Sequence, residues 1–517
     1  MELKINRETV PVSECIYEGV QEQTVELDYI LPDYYPDIFR LIRCRVTPVI
    51  TDSSVSGDKL NYELRCDIRI LYCGEEDSVI RCVSQSQSFS RSVELGRNCT
   101  SPVYTLSPKT DHVNFRAVNK RRLDMRGAVS VRIKICGEQE QEVISDAFGM
   151  NIQLRKTPVR YASQRIRADK MIQISEETEL SAAQPPVISI LGIRCSAGEC
   201  EKKMISGKLL AKGEVDIDLL YACEKEGEGA VEPLSFTLPY SQIIDIDGID
   251  ESFECRVEPE VISCEAVPAA GKDGENRLLR CETELMLRCQ GVKTSTAMLV
   301  TDAYSTVYPC ETETSEIRTE QIPVIYDESF RSMAKLAEGD SVPQTIYAMW
   351  CTPKNINTHI SDDGRGLVVT GMLTYSMAAK DSSGMISMPD KDEAFEEVIA
   401  LGDDVSGSSV SADISVREVS YNISPEGVLT AKADIGARIS VTGSTSVKAL
   451  TGLTADDSVR KERDGDYSIK LYFGVENEAV WDIAKRYSTS VAAVMEENEL
   501  PGEKLESGGM LLIPIVT

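Results

Sequence analysis

Histidine is almost absent from this chain: His112 and His359 are the only two in 517 residues, and neither sits in a recognisable motif. Catalysis by a Cys-His or Ser-His pair therefore has little to build on. No Cys-x-x-Cys occurs, which argues against a zinc finger or ribbon. Gly-x-Ser-x-Gly, His-Glu-x-x-His, the phosphate-binding P-loop and the dinucleotide fingerprint are missing too. These gaps point away from an enzyme and from a resident metal or cofactor. Asp245-Ile246-Asp247-Gly248 lacks the third spaced acid and the closing glutamate of a calcium loop, so a turn is expected there. The paired acids Asp362-Asp363 and Asp403-Asp404 stand beside glycine and predict solvated turns.

Long apolar runs are missing as well. Hydrophobic residues make up 42% of the chain, yet no run approaches the twenty or so needed to span a bilayer, so a soluble protein is expected. Met1 to Arg7 has no apolar h-region, which predicts a chain that is not secreted. Sixteen cysteines then read as reduced thiols that pack as small hydrophobes. Cys66, Cys73, Cys195, Cys223, Cys281 and Cys289 all fall inside strand-like runs. A formal charge of -29 argues against a general nucleic-acid binder. Acids and bases balance through Lys170, and the excess acid lies beyond it. Arg116, Lys120, Arg121, Arg122 and Arg126 form the densest basic cluster and predict a solvated face.

What the chain does have is alternation. Leu429, Ala431, Ala433, Ile435, Ala437, Ile439 and Val441 share one face of a strand, with small or polar residues between them. A period of two means half-buried strands. Turn signals such as Ser56-Gly57-Asp58, Gly271-Lys272-Asp273-Gly274 and Asp362-Asp363-Gly364 separate the runs at hairpin-like intervals.

The alternating runs recur. Lys59 to Tyr72 lies over Lys208 to Tyr221 without a gap, and a more diverged copy, Leu367 to Tyr375, lies over Leu209 to Ile217 with Gly371 matching Gly213. Each copy follows a proline and an apolar run ending at cysteine: Pro36 to Cys44, Pro186 to Cys195, Pro343 to Cys351. Each is followed by two further alternating segments: Val113–Val118 and Leu123–Ile135, Glu254–Val267 and Arg277–Cys289, Ile414–Ile423 and Val428–Val441. The expected fold is mainly β, with three tandem sandwich-like or barrel-like modules, each of two similar halves, and a small β-α-α-β domain at the end. The expected boundaries are an N-terminal segment over 1–35, modules over 36–170, 171–335 and 336–445, a linker over 446–465 and the last domain over 466–517. Gln164–Ala183 and Glu316–Val342 read as connectors, with a short helix over Asp327–Leu336. Gly443–Asp466 reads as a flexible tether.

The closing domain is predicted from two helical stretches between strands. Val480, Ile483, Ala484 and Tyr487 give the spacing of one short helix, and Ser490 is a natural N-cap for a second over Val491–Glu497. Tyr467–Phe473 and Met510–Pro514 flank them as strands.

That order, with VWDIAKRYSTSVAAVMEENEL and then GGMLLIP, resembles the LysM module, which in many members grips N-acetylglucosamine-containing glycans. Where the family carries a Gly-Asp-Thr turn, this chain has Asn477, Glu478 and Ala479. Three modules joined to such a domain resemble the SPOCS-domain proteins of spore-forming Clostridia. The resemblance implies a mother-cell cytosolic protein at the forespore surface that helps assemble the coat and docks on a coat-scaffold ATPase. Partner contact is expected through Trp481 and Val480, extended by Tyr472, Phe473, Lys485 and Arg486. Packing of the small domain is the other role open to Trp481. The rival expectation is peptidoglycan binding through a groove at Asn477, Glu478, Ala479, Leu500 and Pro501. Exposed strand edges also offer surfaces for self-association.

Overall fold

The computed structural model describes residues 3–74, 79–98, 102–205, 207–225, 227–271, 274–320, 323–402, 404–462 and 468–514. Strand accounts for 75% of the chain and helix for 3%, so the core is built from sheets. Alternation decides which face each strand buries: Leu60, Tyr62, Leu64, Cys66, Ile68, Ile70 and Tyr72 all lie inside one core, while Lys59, Asn61 and Glu63 between them are exposed. Each large side chain buried in this way contributes about 1.5–3 kcal/mol of transfer free energy.

The first module holds six strands: β1 (Lys4–Ile30), β2 (Ile38–Ser56), β3 (Lys59–Gly74), β4 (Ile80–Glu94), β5 (Val103–Asn119) and β6 (Arg122–Phe148). They form two antiparallel sheets, β2-β3-β4 and β1-β6-β5, packed face to face over one core. The second module repeats this with β7 (Ile152–Glu179), β8 (Ser189–Ala197), β9 (Glu201–Ile205), β10 (Lys208–Lys225), β11 (Glu228–Asp245), β12 (Glu254–Ala269) and β13 (Leu278–Ser305). Its sheets are β11-β10-β8, with β9 also on β10, and β12-β13-β7. After β14 (Cys310–Glu320), the third module comprises β15 (Val324–Glu338), β16 (Thr345–Ile360), β17 (Gly366–Lys380), β18 (Ile386–Ser387), β19 (Asp390–Ala400), β20 (Ser409–Ile423) and β21 (Val428–Thr442). It pairs β16-β17-β19 with β15-β21-β20. In every module a three-strand meander faces a sheet in which the first and last strands meet. These are sandwiches, and no closed barrel is found among the described residues.

The meander sheets turn their second faces toward one another. Leu71 of the first module, Leu220 and Ala222 of the second and Ala378 of the third meet in a shared apolar plug. Side chains tie each pair of modules: Arg65 Nη2 donates to the Ile262 carbonyl at 2.9 Å, Lys380 pairs with Glu228 at 2.6 Å, and Arg43 pairs with Asp390 at 2.9 Å. The modules thus take three equivalent places around one axis. Below the plug, an axial cavity of about 1390 Å³ is lined by β5, β12 and β20 together with parts of the neighbouring strands.

At the far end of the axis the long strands run on beyond their sandwiches. The paired ends of β1 and β6, those of β7 and β13, and the pair β14 with β22 (Ser444–Ala455) close around Val10, Val143, Val159, Leu299, Ile317 and Ala449. The strands of the sandwiches and of this three-ribbon stalk account for four differences from the sequence reading. The expected N-terminal segment is mostly β1, and the connector over Gln164–Ala183 is largely β7, both polar because one face meets water. The second connector, Glu316–Val342, contains the end of β14 and all of β15. Within it, Asp327–Leu336 is strand, not helix: Tyr326, Phe330, Ala334 and Leu336 pack toward the core, and exposed Glu328 and half-buried Ser332 break the alternation into a spacing that mimics a helix. The expected tether is anchored instead, since Ser444–Ala455 pairs with β14 and Lys461 donates its backbone N–H to Val307 at 2.9 Å. Residues 463–466 of that tether and Tyr467, the first residue expected of the closing strand, lie outside the described residues, as do Lys272 and Asp273 of an expected turn and Asp403.

Candidate functional site

The C-terminal unit is β23 (Ile469–Gly474), α1 (Val480–Arg486), α2 (Val491–Glu497) and β24 (Gly509–Pro514), with β23 antiparallel to β24. Val480, Ile483 and Ala484 of α1, Val494 of α2, and Leu511 and Ile513 of β24 fill its core. Ser490 caps α2 by accepting the Ala493 N–H at 3.1 Å.

The unit does not stand apart from the stalk. Tyr304, near the end of β13, belongs to the same core, meeting Trp481 edge to face with ring centroids 5.0 Å apart. Its hydroxyl donates to the Thr489 carbonyl at 2.7 Å in a buried position, and burial raises its pKa. Asp302 accepts from Trp481 Nε1 at 2.8 Å and from Lys485 Nζ at 2.7 Å. Lys461 Nζ donates to the Ser305 carbonyl at 2.7 Å and to Ser488 Oγ at 3.3 Å, and burial lowers its pKa.

Of the expected partner-binding residues, Val480 and Trp481 are therefore buried, Trp481 at 7% exposure. Lys485 is committed to Asp302. Tyr472 is half-buried: its hydroxyl donates to Glu478 Oε1 at 2.7 Å and accepts from Arg486 Nη1 at 3.0 Å. The bond to Glu478 raises the Tyr472 pKa. Phe473 alone projects freely, at 68% exposure.

Phe473 has company that the sequence reading did not single out. In the β23–β24 register Leu471 stands opposite Leu512, and Phe473 opposite Met510. Ile469, Leu471, Phe473, Met510 and Leu512 are all exposed, whereas Tyr472, Leu511 and Ile513 face inward. The ribbon carries large apolar groups on its outer face. Alternation at Ile469, Leu471 and Phe473 could have revealed it; the registry with β24 could not be read from spacing. Nor could Asp302 and Tyr304, which come from a strand far away in the chain.

The expected glycan groove lies between two loops that are stitched together. Asn477 N–H donates to the Leu505 carbonyl at 2.9 Å, Leu505 N–H to the Glu478 carbonyl at 3.0 Å, and Val480 N–H to the Glu503 carbonyl at 2.9 Å. Ala479 bridges to Lys504. Asn477 takes a left-handed backbone, φ 65°, which asparagine tolerates well. Leu500 packs against the domain core and Pro501 is exposed.

The remaining candidates resolve as structural groups. Arg121 clamps the turn after β1, donating to the Tyr35, Leu31 and Pro32 carbonyls and to Asp37, while Arg122 pairs with Asp28 and Arg116 with Asp124. Arg116, Lys120, Arg122 and Arg126 are exposed, as expected of a solvated face, and acids pair with several members of the cluster. Asp245 pairs with Lys208 at 2.6 Å, and Asp363 and Asp404 accept backbone N–H groups of their own turns. Fifteen cysteines are free thiols, and Cys99 lies outside the described residues. No cluster of three metal-ligating side chains occurs among the described residues. No helix among them is long and apolar enough to cross a membrane.

Tandem sandwiches of one strand order, ending in a β-α-α-β unit, define a modular β protein with a small appended domain. Family models give these parts their names: "SipL, SPOCS domain" matches residues 186–267, in the second module, and "LysM domain" matches residues 475–514. The chain thus carries a SPOCS domain and a C-terminal LysM domain, an architecture that fits a sporulation-related protein with a peptidoglycan-binding module. No curated protein and no solved structure matches the chain.

Proposed function

We propose that this chain is a non-enzymatic assembly adaptor of the spore envelope, working in the mother-cell cytosol at the forespore surface, whose LysM domain docks on a coat-scaffold protein. One observation carries the reading: the outer face of β23 and β24 exposes Leu471, Phe473 and Met510 at 65%, 68% and 67%. Contiguous exposed apolar surface of this kind is a mark of protein contact. Asp302 and Tyr304 hold the domain on the stalk so that this face points away from its own body. The experiment is capture of a purified coat-scaffold ATPase by the full chain. Leu471→Ser with Phe473→Ser should abolish capture while leaving the fold intact, and capture unchanged by the pair would defeat the proposal.

The LysM match favours a second reading, attachment to peptidoglycan at wall or cortex. Retention of the full chain on purified peptidoglycan at moderate salt, lost when Asn477 and Pro501 are substituted, would support it over the adaptor. The position of a fluorescent fusion separates the two in cells: a ring around the forespore supports the adaptor, and diffuse signal in growing cells opposes it.

A further inference from the structure

The axis between the three modules is layered. Two residues below the plug position shared by Leu71, Leu220 and Ala378 come Arg69, Asp218 and Ser376. In the second and third modules this level holds an acid bonded to a hydroxyl: Ser235 Oγ donates to Asp218 at 2.7 Å, and Ser376 Oγ to Asp390 at 2.5 Å. The first module departs from the pattern. Arg69 stands opposite Ser84 on one side and opposite Arg45 on the other. Directly opposed strand residues share a face at close range, and like charges so placed repel.

Nearby guanidinium groups add to this. Arg43, two residues before Arg45, is held by Asp390 of the third module at 2.9 Å, and one of its nitrogens, Nη1, is buried without a partner. Arg194 of the second module stands opposite Asp218. Arg45 and Arg69 have no hydrogen bond or ion pair among the described residues. Arg45 is reached by solvent yet closely surrounded, as expected of a side chain in a cleft; burial and then Arg43, Arg194 and Arg69 act to lower its pKa, and only Asp390, already paired with Arg43, acts to raise it. The axial cavity below offers a contrast, because its arginines are matched: Arg288 with Glu260 at 2.7 Å, Arg256 with Glu258 at 2.7 Å, and Arg438 with Asp327 at 2.9 Å.

We propose that Arg45 and Arg69, flanked by Arg43 and Arg194, form a binding site for a tetrahedral oxyanion of the phosphate class, held in the cleft where the three modules meet. Two guanidinium groups on directly opposed strand positions can together supply enough N–H donors for the oxygens of one phosphate group, and a dianion offsets the charge of both. Arg43 and Arg194 bring in the third and second modules, so an occupied site stabilises the arrangement of all three. Ligand that binds only the assembled state raises the unfolding temperature with saturation.

The test uses the full chain in chloride buffer, titrated at constant ionic strength with inorganic phosphate and, separately, with phenyl phosphate as a monoester. Thermal unfolding should shift upward and saturate with phosphate, while chloride added alone gives no saturable shift. Arg45→Gln and Arg69→Gln should each weaken the apparent affinity at least tenfold, and the surface control Arg132→Gln should leave it unchanged. Both site variants relieve a repulsion rather than break a contact, and their far-UV dichroism checks that they fold. A response to phenyl phosphate equal to that of inorganic phosphate assigns the site to phosphate esters; a response to inorganic phosphate alone assigns it to the free ion. An absent or unsaturable shift, or a shift retained in both site variants, would overturn the proposal.

Discussion

Tyr304 and Trp481, 177 residues apart in the sequence, meet edge to face at 5.0 Å and join the LysM domain to the end of the stalk. Asp302 beside them accepts from the indole and from Lys485. Asp302→Ala leaves the buried indole N–H without a partner, a loss on the order of 1–3 kcal/mol. The expected result is faster amide exchange throughout residues 468–514 with the three sandwiches unaffected. Unchanged exchange there would contradict the docked arrangement.

Trp481 and Phe473 should behave oppositely on substitution. Trp481→Glu places a charge in the seam against Asp302 and should lower the melting temperature of the domain. Phe473→Ser removes only exposed surface, so its effect on stability should stay within about 0.5 kcal/mol while scaffold capture falls. Calorimetry and capture on the same two variants measure both halves of this prediction.

Gly213 and Gly371, matched in the repeats, are crowded from across the sheet. A Cβ at Gly213 would lie 2.5 Å from Tyr240 Oη and 3.0 Å from the Glu199 carbonyl; at Gly371 it would lie 2.6 Å from Ile356 and 2.8 Å from Phe395. Alanine at either position should cost about 1–3 kcal/mol by overpacking. Amide exchange should show the loss in the second module for Gly213→Ala and in the third for Gly371→Ala.

Buried thiols make the fold sensitive to alkali. Burial pushes Cys66, Cys223, Cys281 and Cys351 up to about 11, and Cys44 and Cys289 up to about 12, from 9.0. The unfolded chain therefore releases these protons first, so the stability they confer is complete below pH 9 and is lost as pH rises through the folded values. The melting temperature should fall between pH 9 and 11, and less steeply in a Cys281→Val, Cys289→Val variant. An equal slope in that variant would refute the assignment. At pH 8, iodoacetamide should label exposed Cys15 before Cys281.

Much of the strand content was legible because a period of two is a local signal. Ala431 to Val441 face one core as their spacing implies, Leu429 is buried in a neighbouring cluster, and the runs from Lys59 and Lys208 become equivalent central strands of their meanders. The same rule misled where polar residues broke the apolar alternation, as exposed Glu328 and half-buried Ser332 do in β15. It misled again at Ser444–Ala455, where Ser, Thr and Lys on an exposed face made a strand resemble a tether. Trp481 was singled out as unusual; it packs in the core of the small domain, the other role open to it, and that core also takes in Tyr304 of the stalk, which no local spacing indicated.

By itself the sequence determined most of the strands, the threefold repetition and the identity of the C-terminal domain, because each depends on neighbours in the chain. Only the tertiary structure decided which strands share a sheet, how three modules surround one axis, and that β14 and β22 complete a stalk. It alone set Asp302 against Trp481, left Phe473 facing outward, and brought Arg45 and Arg69 together with no ion pair to either among the described residues. Those outcomes depend on contacts between residues dozens to hundreds of positions apart, and no local spacing records which distant side chain will meet which.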